Sequence, residues 1–196
     1  METGCDSLKS FALDYIKDLK HRLSTLDIEC VDRIIDILWE AYLNNKQIFV
    51  MGNGGSASTA SHFACDLSKG TIVDGKKRLR VLSLNDNMAL ITALSNDLNY
   101  DAVFKEQLIN LVNPKDVVIA ITASGNSPNI LKAVEYARQK GALTIGFIGF
   151  DGGKLKPMLD EYIVVSSRNY GHIEDIHLIL EHMISQCLKQ RLISEN

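Results

Sequence analysis

Short apolar runs rich in β-branched residues recur along this chain with helical stretches between them, and that alternation restricts the fold more than any other feature. The runs are QIFVMG (47–52), LRVLSL (79–84), VVIAI (117–121), LTIGFI (143–148) and YIVV (162–165). A run that is apolar on both faces suits a strand covered on both sides. Most of these runs lead into a stretch with apolar residues three and four positions apart, which is helical spacing. Strand–helix units of this kind predict an α/β fold: a five-stranded, mainly parallel sheet between two helical layers, a three-layer α/β/α sandwich. Before the first strand, Leu8, Phe11, Leu13, Ile16, Leu19 and Leu23, then Val31, Ile34, Ile35, Leu38 and Tyr42, repeat at helical steps. They predict two amphipathic helices between Ser7 and about Asn45. A helix over about 57–68 follows the first strand, and a long one over about 173–192 closes the chain.

With 196 residues, 46% of them hydrophobic, the chain can close one sizeable core, and no Pro-, Gly- or Ser-rich stretch divides it. One domain over 1–196 is expected, with helices in 1–45 available for packing between copies and an α/β core over 46–196. The net charge of −3, with 21 Lys and Arg scattered along the chain, gives no footprint for a polyanion, so nucleic acid is not an expected partner. Cys5, Cys30, Cys65 and Cys187 form no CxxC pair, which leaves reduced, mostly buried thiols as the expectation. No secretory h-region opens the sequence and no apolar run approaches the ~20 residues of a membrane span, so a cytoplasmic location without membrane attachment is expected.

Two loops at the carboxyl ends of predicted strands carry the functional signal. The first, Gly52-Asn53-Gly54-Gly55-Ser56-Ala57-Ser58, follows the 47–52 strand and opens a helix. Glycines let the backbone approach a ligand, and the free N–H groups at the helix start favour an anion. The spacing matches neither GxGxxG nor the Walker pattern. The second loop, Thr122-Ala123-Ser124-Gly125-Asn126-Ser127-Pro128-Asn129, holds the same position after the 117–121 strand. Pro128 suits the first turn of the helix that follows. One such loop is as readily a turn with a helix cap. Two at corresponding places predict a phosphate site, at the strand ends where open parallel sheets bind ligands. Asn126 either holds its turn or meets the ligand, and Lys69 and Lys154 either neutralise phosphate or are solvated.

Two helices also carry ligating side chains. His62 and Asp66 are four apart, on one face of the helix after the first loop. Glu174 stands three, seven and eight residues before His177, Glu181 and His182, on neighbouring stripes of the last helix. Spacing alone leaves open whether these are solvated helix charges or two imidazoles and two carboxylates meeting at one point.

GNGGSAS with His62 and an acid at 66, the TASGNSPN loop, Asn96-Asp97 and DGGK (151–154) together resemble the SIS (sugar isomerase) domain, in particular the phosphoheptose isomerase family, over nearly the whole chain. The resemblance implies a flavodoxin-like SIS fold and an isomerase converting sedoheptulose 7-phosphate to D-glycero-D-manno-heptose 7-phosphate through an enediol, the first step toward ADP- or GDP-heptose precursors. It implies a homotetramer with sites near the interfaces. Carried over residue by residue, it makes Asn53, Gly54, Gly55, Ser56, Asp97, Thr122, Ala123, Ser124, Ser127 and Glu174 substrate ligands, with hydroxyls of Ser56, Thr122, Ser124 and Ser127 on the phosphate and Asn53 and Asp97 on sugar hydroxyls. His62, Asp66, Glu174 and His182 would hold one zinc ion per subunit. Asp66 would be the base at carbon, with Glu174 its alternative if Asp66 is tied to the metal, and His182 the acid–base partner at the oxygens.

The sequence departs from the family at four of these positions: Asp66 replaces a glutamate, Glu174 a glutamine, Ala123 a threonine, and Thr122 a common serine, with the hydroxyl retained. The first two leave room for another sugar phosphate as substrate. Two non-catalytic readings remain beside these: an adaptor resembling the DnaA initiator-associating protein, against which the retained His62, Asp66 and His182 argue, and a sugar-phosphate-sensing regulatory domain, for which this chain carries no DNA-binding extension.

Overall fold

The computed structural model describes residues 3–195, with side chains from residue 7 onward. Five strands, β1 (Gln47–Gly52), β2 (Arg80–Ser83), β3 (Val117–Thr122), β4 (Leu143–Gly149) and β5 (Glu161–Val165), form one sheet in the order β2-β1-β3-β4-β5. All four pairings are parallel, with Gln47 opposite Arg80, Ile48 opposite Val117, Val117 opposite Leu143 and Ile145 opposite Glu161. This 2-1-3-4-5 order is that of a doubly wound, flavodoxin-like sheet, which reverses direction between β1 and β3.

The layers follow from which residues the strands bury. β3 is buried at every position because β1 and β4 flank it and helices cover both faces. One core joins α2 (Ile28–Leu43), α3 (Gly55–Cys65) and α7 (Tyr170–Ser194) to one face, through Ile34, Leu38, Phe63, Phe147, Ile176 and Leu180. The other joins α5 (Val103–Leu111) and α6 (Pro128–Gln139) to the opposite face, through Met51, Phe104, Leu108, Ile130 and Val134. Local signals fix the helix starts. Asp27 caps α2 by accepting from the Cys30 N–H at 3.0 Å, and Pro128 opens α6. α1 (Thr3–Ser24) leaves Leu8 and Phe11 72% and 68% exposed. α4 (Met88–Asp97) follows β2 in the chain and packs against α5.

Three expectations need correction. The 79–84 run is not covered on both faces: β2 is the sheet edge, and its Arg80 and Leu82 are exposed. The helix expected over 57–68 stays α-helical only to Cys65, and Asp66–Gly70 form a π-helical turn. The cysteines divide: Cys30 is buried, while Cys65 and Cys187 are exposed because they fall on the outer stripes of α3 and α7. The side chain of Cys5 lies outside the described residues. No described helix is long and apolar enough to cross a membrane.

Candidate active site

Both glycine-rich loops stand side by side at the carboxyl edge of the sheet, because β1 and β3 are neighbours. Asn85, just after β2, clamps the start of the first loop: its side chain accepts from the Gly52 N–H at 3.1 Å and donates to the Gly52 carbonyl at 2.9 Å. In the second loop Gly125 has φ +61°, and a methyl group there would fall on the Gly152 carbonyl oxygen, so this position requires glycine twice over. The 151–154 turn packs on that loop. Asn126 donates to the Ser124 carbonyl at 2.8 Å and accepts from the Lys154 N–H at 3.1 Å. Asn126 therefore holds the turn, and Lys154 is exposed beside it. Ala123 is committed to the scaffold through its carbonyl, which accepts from the Gly149 N–H at 3.0 Å.

A paired amide joins the loops. Asn53 donates to Asn129 at 2.9 Å and accepts from it at 2.8 Å, while the Tyr100 hydroxyl reaches the same Asn53 oxygen at 2.9 Å. Asn129 and Tyr100 carried no role in the sequence; only the meeting of the loops reveals them. Asp97, at the end of α4, is exposed and accepts from Asn96 at 2.9 Å, with no hydrogen bond to either loop among the described residues.

The ligating side chains divide into two places along α3 and α7. At the loop end, a methyl group on Gly55 would lie 2.7 and 2.8 Å from the two carboxylate oxygens of Glu174. Seven residues further along both helices, His62 Nδ1 is 3.1 Å from Glu181 Oε1, His182 Nε2 is 3.8 Å from the same oxygen, and Asp66 stands 3.8 Å from His62 and 3.7 Å from His182. The two helices thus run parallel and in step, and seven residues are two turns, about 10 Å. His62, Asp66 and His182 meet as expected, but Glu181 rather than Glu174 joins them. All four offer ligand atoms within 4.8 Å of one another.

Glu181 is fully buried, and neither carboxylate oxygen has a well-formed hydrogen bond, the His62 contact being an ion-pair approach only. Burial, reinforced by the Asp66 charge, pushes its acid up to about 8. A buried carboxylate left in this state fits a divalent cation better than an apolar pocket, and two imidazoles with two carboxylates form a donor set suited to zinc.

His177, one turn before Glu181, is also buried, its ring nitrogens have no hydrogen-bond partner among the described residues, and burial lowers its imidazole to about 4. The unfolded chain then binds a proton that the folded one refuses, so stability present above pH 6.5 is lost as pH falls toward 4. We expect acid melts to show this loss, up to ~3 kcal/mol, and His177→Gln to shrink it; equal pH dependence in both proteins would contradict the assignment.

Known proteins resemble this chain in sequence and fold. The SIS domain family model matches residues 13–149. A phosphoheptose isomerase from Helicobacter pylori strain P12 is 36% identical over 191 residues, covering 97% of this chain and 98% of its own. The solved structure of a phosphoheptose isomerase from Francisella tularensis superposes with a TM-score of 0.87 at 28% identity, covering 96% and 99% of the two chains. The one from Neisseria gonorrhoeae superposes with a TM-score of 0.85 at 27% identity, covering 94% and 98%.

Proposed function

This chain belongs to the SIS domain family, among the phosphoheptose isomerases, and from that membership we propose how its site performs an aldose–ketose isomerisation. The reaction converts sedoheptulose 7-phosphate to D-glycero-D-manno-heptose 7-phosphate, a first step toward nucleotide-activated heptose. The observation that carries this assignment is the two-turn separation between the loops and the His62/Asp66/Glu181/His182 cluster. The substrate has the same polarity: its phosphate sits on C7, and the reacting carbons are C1 and C2.

The hydroxyls of Ser56, Thr122, Ser124 and Ser127 bind the phosphate, with the backbone of Gly54, Gly55 and Ala123 around it, at the starts of α3 and α6. Asn53 and Asp97 meet sugar hydroxyls. Isomerisation moves one proton between C1 and C2 and another between their oxygens. A base at carbon must touch the substrate. In the cluster Glu181 is fully buried and Asp66 is 28% exposed, so Asp66 takes the carbon-bound proton. His182, partly exposed opposite it, serves the oxygens. Glu174, at the loop end, orients the sugar chain and is the second carboxylate within reach of it. His62, Asp66, Glu181 and His182 would each offer one ligand atom to a zinc ion, which when bound supplies Lewis-acid polarisation of the sugar carbonyl, leaving the second carboxylate oxygen of Asp66 for the carbon-bound proton and the second ring nitrogen of His182 for the sugar oxygens. The exposed apolar face of α1 supports assembly with other copies, as a homotetramer, and a phosphorylated sugar substrate points to the cytoplasm.

A series of ketose phosphates with seven, six and five carbons tests the substrate. We expect kcat/KM to be highest for the seven-carbon sugar, by about tenfold or more over the five-carbon one. A preference for the shorter sugars would instead establish an isomerase of another sugar phosphate, the outcome that the changes at Asp66 and Glu174 permit.

A further inference from the structure

We infer that Tyr100 is a specificity-determining residue of the sugar site, presenting an acceptor-only phenol oxygen beside a donor-only Asn53, with Asn129 as the positioning residue that sets both; this rests on the isomerase reading above. The constraint begins in the backbone of α6. Ile130 lies in the first turn, where its N–H has no partner within the helix. It donates instead to Asn129 Oδ1 at 3.0 Å. That bond establishes which end of the Asn129 amide is oxygen, an assignment an isolated amide would leave open.

Everything outward from there is determined. Asn129 is 1% exposed, so its amide has no water to turn toward. Its oxygen accepts from Asn53 Nδ2 and its nitrogen donates to Asn53 Oδ1, which fixes Asn53 in turn. The Tyr100 hydroxyl faces that same Asn53 oxygen, and a carbonyl oxygen accepts only, so Tyr100 must donate. Both lone pairs of the Asn53 oxygen are then used, and so is one of its two N–H bonds. One N–H remains for a ligand. Tyr100 has spent its single proton and retains only lone pairs.

Asn53 is half-buried in the first loop, and Tyr100 is 51% exposed above it. A polyol chain matches this pair: one hydroxyl donates to the phenol oxygen and a neighbouring oxygen accepts from Asn53. A phosphate group, rich in acceptors, gains nothing from Tyr100. The pair therefore reads the sugar and not its phosphate.

Tyr100→Phe removes this acceptor at an exposed position and leaves the Asn53–Asn129 amide pair in place. The KM for sedoheptulose 7-phosphate is expected to rise about three- to tenfold, with kcat changed less than about twofold. Competitive inhibition by inorganic phosphate and the melting temperature should stay as in the parent. An unchanged KM would overturn the inference, as would a phosphate inhibition constant that worsens in step with KM, the signature of a merely structural hydroxyl. If the parent does not turn over the heptulose phosphate, the isomerase reading fails, and calorimetric titration with the same sugar phosphate and with inorganic phosphate still decides this one. Weaker sugar phosphate binding alone in Tyr100→Phe supports it, and equal binding overturns it.

Discussion

Replacing Asp66 by asparagine is expected to lower kcat by about 10²- to 10⁴-fold, with KM nearly unchanged. Asparagine keeps the size of the side chain and removes its ability to take a proton. The phosphate loops lie two turns away at the start of α3, so ground-state binding is not touched. Asp66 opens the π-helical turn that ends α3, with His62 and His182 on either side of it at 3.8 and 3.7 Å. That contact brings a second expectation: His182→Gln should lose a comparable factor, since it would leave the sugar oxygens without their proton carrier. Steady-state kinetics of the two variants check this. An Asp66→Asn protein within tenfold of the parent would transfer the base to Glu174, and Glu174→Gln would then have to show the loss.

The second large effect concerns stability and metal together. Glu181→Gln should melt several degrees above the parent at pH 8 when both proteins are free of metal, yet bind zinc about 10- to 100-fold more weakly. Burial holds the Glu181 proton up to about pH 8, whereas the unfolded chain releases it near 4.5. Between those values the native state carries the extra proton, so stability falls as pH rises. Glutamine removes that loss, and at pH 5 the two melting temperatures should converge. Added zinc should reverse the order at pH 8, because it stabilises the protein that binds it more tightly. Melts of chelator-treated protein at both pH values, with a zinc titration, read each part. Equal melting behaviour and equal zinc affinity would remove Glu181 from the site.

The contrast between Glu181 and Glu174 shows what could be read from the chain. Helical spacing puts Glu174, His177, Glu181 and His182 on neighbouring stripes of α7 and His62 with Asp66 on one face of α3. Which member of the stripe meets His62 depends on how far α3 and α7 are slid along each other. That offset is set by where β1 and β5 end in the sheet, and no local pattern records it. The same limit applies to β2. Its run LRVLSL carries Arg80 and Ser83 among four apolar residues, which does not by itself mark an edge, and the strand order, which places it there, explains why Leu82 is exposed. The two ligand loops were legible because glycine, proline and hydroxyl residues act on the backbone next to them. The Asn53–Asn129 pair was not, since it exists only when loops 76 positions apart are brought together. The π turn at Asp66 also had no signal in the composition of residues 66–70.

The measurement that bears most directly on the whole account is conversion of sedoheptulose 7-phosphate by protein of known metal content, followed as formation of the aldose phosphate before and after chelation and after zinc is returned. Turnover that stops with the chelator and recovers with zinc is the expected result. Tight binding of the sugar phosphate with no conversion in either state would contradict it, and would make the chain a sugar-phosphate-binding member of the SIS fold instead of an isomerase.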